Sequence, residues 1–324
     1  MKNKTLSAIA MLFALLLTFT ATAAPTLTIA FGSCNRQDHP QPLWERILQQ
    51  APDIWIWTGD NIYGDTEDMA VLKAKYDQQK ATPGYAALVK HSTVVGTWDD
   101  HDYGVNDGGK EYPRREAAQQ LFLDFFDVPN DDPRRARKGV YSAQTFGSGK
   151  QQVKVIALDT RYHRDLIGSE GDVLGDEQWQ WLEKELRGST AQVHILLSSV
   201  QFVSFEHRYE KWGNFPAERQ RMLALLNDTK AAGVVFLSGD RHHAEISCQT
   251  DTGLSYPLYD ITASGMTHYT EKPFVEKNQY RVGRVFQGFN YGLMKVEWMA
   301  EGPKLDIAIM DQENAAVRRV RVQF

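Results

Sequence analysis

Six short runs rich in β-branched and aromatic residues punctuate the chain: TLTIAFGS, DIWIWTG, STVVGTW, QVKVIALD, QVHILLSS and GVVFLSG. Each is continuously apolar and bounded by glycine, serine or aspartate, which is the pattern of a strand buried on both faces. Amphipathic stretches lie between several of them. PLWERILQQ and EDMAVLKAKYDQQK are two; PRREAAQQLFLDFF carries Pro113 at its first turn. GDEQWQWLEKELRG has Asp176 as N-cap and Gly188 as stop, and PAERQRMLALLNDTKAAG runs from Pro216 to Gly233. Such alternation predicts largely parallel strands covered by helices. From about residue 254 only strands and turns follow, as in YGLMKVEW, KLDIAIMD and AVRRVRVQF, with QEN as a tight turn between the last two. These are expected to complete a second sheet as antiparallel strands. The expected fold class is therefore α/β, a sandwich with two sheets at its centre. No repeat, linker or low-complexity stretch divides residues 25–324, so one domain is expected there.

Polar side chains of metal-ligand type follow five of these runs. Cys34 follows IAFGS; Asp60 and Tyr63 follow IWIWTG; Asp99, Asp100 and His101 follow VVGTW; Asp159 and Arg161 follow VIAL; Asp240 and His242 follow VFLSG. Sites in open α/β sheets are built at the C-terminal ends of strands. One aspartate between a strand and a glycine is ordinarily a turn former or a helix cap. Five such ends, with cysteine and histidine among them, are harder to attribute to turns. Gathering the carboxylates without countercharge is opposed by Coulomb and desolvation terms alike, and bound cations remove the conflict.

Aspartate, asparagine and a phenolate are hard donors, while a thiolate and an imidazole add softer character at one end. A tyrosine with a pKa of about 10 is a useful ligand only to an ion acidic enough to deprotonate it, which favours a trivalent metal such as ferric iron. The carboxylate-rich end suits calcium, manganese or magnesium. For a phosphate ester, such a multinuclear cluster would lower the pKa of a bound water from about 16 towards ~7, giving a metal-bound hydroxide, and would clamp the anionic transition state. His101, between two aspartates, is placed to donate a proton to the leaving oxygen or to contact substrate.

At these residues the sequence resembles the alkaline phosphatase D (PhoD-like) family of the calcineurin-like metallophosphoesterase superfamily. FGSC, GDNIYGD, WDDHDYGVND, ALDTRYHR, SSVQF and LSGDRHHAE occur in the family's order along nearly the whole chain. The resemblance implies a four-layer αββα fold with two central mixed sheets, and hydrolysis of small phosphate mono- or diesters. It also implies a ferric ion (Fe3+) with calcium ions (Ca2+), Mn2+ or Zn2+ being the other metals compatible with such a site. The iron ligands it implies are Cys34, Asp60, Tyr63 and His242. Asp60 would bridge to calcium, which Asn106 and Asp240 would also hold. Asp100 stands where the superfamily's GNHE motif has asparagine, as a ligand or a group supporting one; Arg161, in LDTR, would face the substrate phosphate.

The leading residues read differently. Lys2 and Lys4, then LSAIAMLFALLLTF, then ATAAP, form a cleavable secretory signal spanning residues 1–24, with the cut after Ala23 or Ala24. Its apolar core is short for a ~20-residue membrane span, and no later stretch is apolar enough to be one. A periplasmic or secreted protein is expected, with no membrane span once the signal is removed. A formal charge of −5 without basic clusters argues against a stable nucleic-acid complex. Cys34 and Cys248 leave two readings that exclude each other. Export favours a disulfide, whereas the place of Cys34 after the first run and the family pattern favour a thiolate ligand. Of the adjacent His242 and His243, one is expected to miss the site, because neighbouring strand residues point to opposite faces. The competing reading of the whole chain is a secreted, catalytically silent calcium- or metal-binding protein. Oligomeric state is not legible.

Overall fold

The computed structural model describes residues 26–272 and 275–324; the expected signal segment lies outside the described residues. In chain order the strands are β1 (Thr26–Gly32), β2 (Ile54–Thr58), β3 (Thr93–Thr97), β4 (Ser142–Ser148), β5 (Gln151–Ala157), β6 (Val193–Leu197), β7 (Val234–Ser238), β8 (Ala244–Gln249), β9 (Leu258–Ala263), β10 (Asn290–Met299), β11 (Gly302–Asp311) and β12 (Ala316–Gln323). The helices are α1 (Trp44–Gln49), α2 (Met69–Lys80), α3 (Pro83–Leu88), α4 (Asp100–Tyr103), α5 (Arg115–Phe125), α6 (Asp176–Arg187) and α7 (Pro216–Thr229). Two six-stranded sheets result, ordered β12-β11-β10-β1-β2-β3 and β4-β5-β6-β7-β9-β8.

The continuous apolar runs are explained by burial on both faces. Alternate residues of a strand point to opposite sides. Ile29, Phe31, Ile54 and Ile56 of the first sheet meet Val155, Ile195, Val235 and Leu237 of the second between the sheets. Their neighbours Ala30, Trp55 and Trp57 face outward onto a helical layer containing Trp44, Tyr85 and Phe122. Ile156, Leu196 and Phe236 likewise face Trp179, Leu182, Met222 and Leu226 of α6 and α7. The fold is therefore the expected four-layer αββα sandwich with mixed sheets. The tryptophans pack edge to face, Trp44 on Trp55 at 5.1 Å and on Trp57 at 5.5 Å, so they are core residues and not substrate platforms.

The C-terminal strands differ from expectation. β10, β11 and β12 extend the first sheet, β10 pairing antiparallel with β1 from Thr26↔Glu297 to Phe31↔Gly292. β1 has β2 on one edge only, and its other edge would be left as unpaired backbone inside the sandwich without β10. Gly292 permits the pairing, because a Cβ there would lie 2.0 Å from the Phe31 ring. The second sheet is closed instead by β9, parallel to β7, and by β8 antiparallel to β9.

Helix ends also shift. α5 starts at Arg115, two residues after Pro113, and α6 has Gly175 as N-cap, which puts Asp176 in the first turn. α7 stops at Thr229, before Gly233, because Lys230 turns into the left-handed region at φ 53. A side chain pays about 1–2 kcal/mol there that glycine does not, partly offset by glycine's freer unfolded chain. Lys230→Gly should therefore raise stability by about 0.5–1 kcal/mol, read as a higher urea midpoint at unchanged m-value. No helix among the described residues is long and apolar enough to cross a membrane.

Candidate metal centre

The C-terminal ends of β1, β2, β3 and β7 meet where the two sheets abut, and the residues that leave them turn sharply. Cys34, Asp60, Asp240 and His242 all have positive φ, at 58°, 49°, 67° and 52°. Left-handed backbone costs a non-glycine residue about 1–2 kcal/mol and persists only where surroundings impose it. Here it turns four donor side chains back over the strand ends. Gly59, at φ 100°, makes the same turn possible after β2: a Cβ on it would lie 2.7 Å from the Asp99 Cβ.

One group of donors is built around Asp60 Oδ2, which lies 3.4 Å from Cys34 Sγ and 3.4 Å from the Tyr63 phenol oxygen. The phenol oxygen is 3.0 Å from His242 Nε2. A second group shares Asp60 with Asp100 and His101, and a third joins Asp99, Asp100 and Asp240; within each, donor atoms lie within 4.8 Å of one another. Asn106 is exposed and lines the same cavity of about 350 Å³ as Asp100, His101, Asp240 and His242.

The electrostatics test whether cations fit. Burial, reinforced by Cys34 and by neighbouring aspartates, pushes the Asp60 carboxyl well above its usual range. Burial pushes the Cys34 thiol up to about 11 and raises the Tyr63 phenol and Asp240 carboxyl as well. It also lowers His242 to about 4, which keeps the imidazole neutral and able to ligate. Asp99 Oδ2 and Asp240 Oδ2 are buried without a hydrogen-bond partner. Thiol, phenol and carboxylates are thus held together with too little positive charge, and metal ions would supply it. The residues present fit such a centre.

Two expected participants are placed otherwise. Arg161 is fully enclosed: its Nε is 2.6 Å from Asp99 Oδ1 and its Nη1 is 2.6 Å from Glu210 Oε2. Its guanidinium is committed to carboxylates beneath the site and does not face a substrate phosphate. Asp159 accepts from Trp98 Nε1 and from the backbone of Val140, Arg161 and Tyr162, so it organises the loop after β5. His243 borders the same cavity but belongs to none of the donor groups, its Nε2 lying 3.8 Å from Glu245 Oε1. Cys34 and Cys248 are both free thiols.

Other residues join the site without having been singled out. His268, in the loop after β9, brings Nε2 to 3.0 Å from the Tyr63 phenol oxygen and 3.2 Å from His242 Nε2. Glu210 is raised to about 7 by burial, against the pull of Arg161 and Arg164. Asp65 accepts from His101 Nδ1 at 2.7 Å. The signal for His268 was present: LYDITASG is another apolar run ending in small residues, and MTHY follows it.

A family model described as PhoD-like phosphatase matches residues 29–263. Alkaline phosphatase D of Bacillus subtilis (strain 168) is 24% identical over 271 residues, a stretch covering 67% of this chain and 46% of that protein. The chain thus spans less than half the length of this curated relative. Among solved structures, that of PhoD superposes with a TM-score of 0.73 at 20% identity, covering 93% of this chain and 69% of the other. GAP50, the anchor in the inner membrane complex of Plasmodium, gives 0.63 at 12% identity and covers 92% of this chain and 89% of its own. At these identities the structural likenesses establish the fold alone.

Proposed function

This chain belongs to the PhoD-like phosphatase family, and from that premise we propose that it is an exported, metal-dependent hydrolase of small phosphate mono- or diesters, formed as one domain over residues 25–324. The observation that carries the reading is the convergence of Cys34, Asp60, Tyr63, Asp100, Asp240 and His242 around buried, undercompensated acid groups. Ferric iron would be held by Cys34, Asp60, Tyr63 and His242, and calcium by Asp60, Asn106 and Asp240, with Asp100 as a ligand or support. When bound, the ions supply an acidified water and positive charge against the phosphoryl oxygens.

The chain's own groups do the rest. His101 stacks on Tyr63 with ring centroids 4.0 Å apart. Asp65 engages its Nδ1, so Nε2 is the nitrogen left to transfer a proton. In the metal-free chain desolvation opposes charging this imidazole, but the Asp65 hydrogen bond and the Asp100, Asp65 and Asp99 charges outweigh it and raise it to about 9; with cations on the aspartates, the Asp65 bond is the support that stays. An imidazolium suits protonation of a leaving oxygen. Asp65 and the Tyr63 ring fix its direction, and Arg161 holds Asp99 under the site.

His101→Gln should lower kcat/KM by about 10²-fold or more, with a steeper loss for esters whose leaving group is poor. The measurement is hydrolysis of matched aryl phosphate mono- and diesters by chain loaded with iron and calcium, beside the same chain stripped with chelator. Turnover that appears only with metal supports the reading, and the preferred ester names the substrate class. Thermal stabilisation by calcium with no turnover on either ester would replace it with the silent metal-binding reading.

A further inference from the structure

We propose that His268 is a further ligand at the phenolate side of the centre, taking a ferric ion beside Tyr63 and His242, the two donors its Nε2 reaches. The proposal rests on the metal-dependent reading above and adds a donor to it. Three observations carry it, beginning with how the His268 loop is held. Met266 N donates to Ser33 O at 3.2 Å and Thr267 N to Cys34 O at 3.3 Å. Arg36 N returns a bond to Thr267 Oγ1 at 2.8 Å, and Thr270 N donates to His242 O at 2.8 Å. The segment carrying His268 is therefore stitched to the loops of both Cys34 and His242, and its position is fixed by theirs.

The spacing of donor atoms is the second observation. His268 Nε2, His242 Nε2 and the Tyr63 phenol oxygen form a triangle with sides of 3.0, 3.0 and 3.2 Å. Ligand atoms bound at about 2.1 Å and at right angles around one ion lie about 3 Å apart. Hydrogen bonding can satisfy two sides, the phenol donating along one and accepting along the other, whereas the side between the two imidazole nitrogens has no proton of its own left once the phenol holds them both.

The tautomer of His268 is the third. The Thr267 hydroxyl donates to Cys34 O at 3.1 Å, so its hydrogen is already used. His268 Nδ1, 3.1 Å from Thr267 Oγ1, must then carry the ring proton and donate it. That leaves the Nε2 lone pair directed at Tyr63 and His242, as in metal-bound histidines whose other ring nitrogen donates to a neighbour.

The test uses the full mature chain, stripped of metal and titrated with ferric iron alone. Its readouts are the visible tyrosinate-to-iron charge-transfer band and the iron retained against a competing chelator. His268→Ala is expected to hold iron about 10- to 100-fold more weakly and to shift or lose the band. His268→Gly should lose the band and regain it when imidazole is added, a rescue that a purely structural histidine would not give. His39→Ala, a neighbouring ring 6.4 Å from His268, should match the unaltered chain. An unaltered band and iron affinity in His268→Ala would overturn the proposal. Iron lost from His268→Ala in a protein that hydrolyses no ester would uphold the ligand and remove the hydrolase reading. Ester hydrolysis by an unaltered chain that binds no iron would do the reverse.

Discussion

Asp60→Asn is expected to lower kcat/KM on the better aryl ester by at least about 10³-fold, or about 4 kcal/mol of transition-state stabilisation, while raising the stability of the metal-free protein. Both effects come from one carboxylate. Asp60 belongs to the group with Cys34 and His242 and to the group with Asp100 and His101, so neutralising it weakens both ends of the centre at once. Asparagine keeps the shape and one oxygen but gives up the charge two cations would share. Without metal that charge is a liability. Burial first, then Cys34 and Asp100, raise the folded-state pKa of Asp60, so the fold binds a proton that the unfolded chain has released at neutral pH. A group raised in this way makes stability fall as pH climbs above the unfolded carboxyl range. Metal-free Asp60→Asn should therefore melt above the unaltered chain, with a difference that widens with pH in that range, and should gain less from added metal. Thermal melts across pH with and without iron and calcium, run beside the kinetic assay, check all of this. Activity within tenfold of the unaltered chain would remove Asp60 from the centre.

The layers of the fold were legible because burial on both faces leaves a mark in single strands: IWIW and VVFLS can be read without knowing their neighbours. Sheet membership leaves no such mark. YGLMKVEW is recognisable as a strand, but whether it pairs with β1 or joins the other sheet depends on which sheet edge is unpaired, a long-range fact. Within the site, Cys34, Asp60, Tyr63, Asp240 and His242 were found because each follows an apolar run within a few residues. His268 lies beyond residue 254, where the expected strands and turns were not followed to their ends, and its run carries Asp260 among apolar residues. The structure shows Asp260 buried and accepting from the Phe202 and Val203 backbone and the Ser238 hydroxyl. A strand end locates a side chain without giving its direction. The loop after β5 carries Arg161 to the site's edge and then turns it inward, which spacing alone does not reveal.

That inward turn makes Arg161 a position where a single substitution should cost heavily in folding. Arg161→Met is expected to destabilise the metal-free protein by about 3–5 kcal/mol, the range for removing one partner of a buried ion pair. The guanidinium is wholly enclosed, and Asp99 and Glu210 both rely on it. Taking it away strands two carboxylates beside Asp100 and Asp240, where like charges already raise the carboxyls of Asp99 and Glu210 behind the larger effect of burial. Arg161→Met combined with Glu210→Gln should recover part of the loss, because one stranded charge is then gone. Bound cations should recover part as well, since Asp99 shares its donor group with Asp100 and Asp240. Urea unfolding of the single and double variants, with and without calcium, measures each term. An arginine that faced substrate phosphate would behave in the opposite way, with KM raised and the urea midpoint unmoved. The two placements of Arg161 therefore separate on one pair of numbers, stability and KM, and the enclosed guanidinium commits the effect to stability.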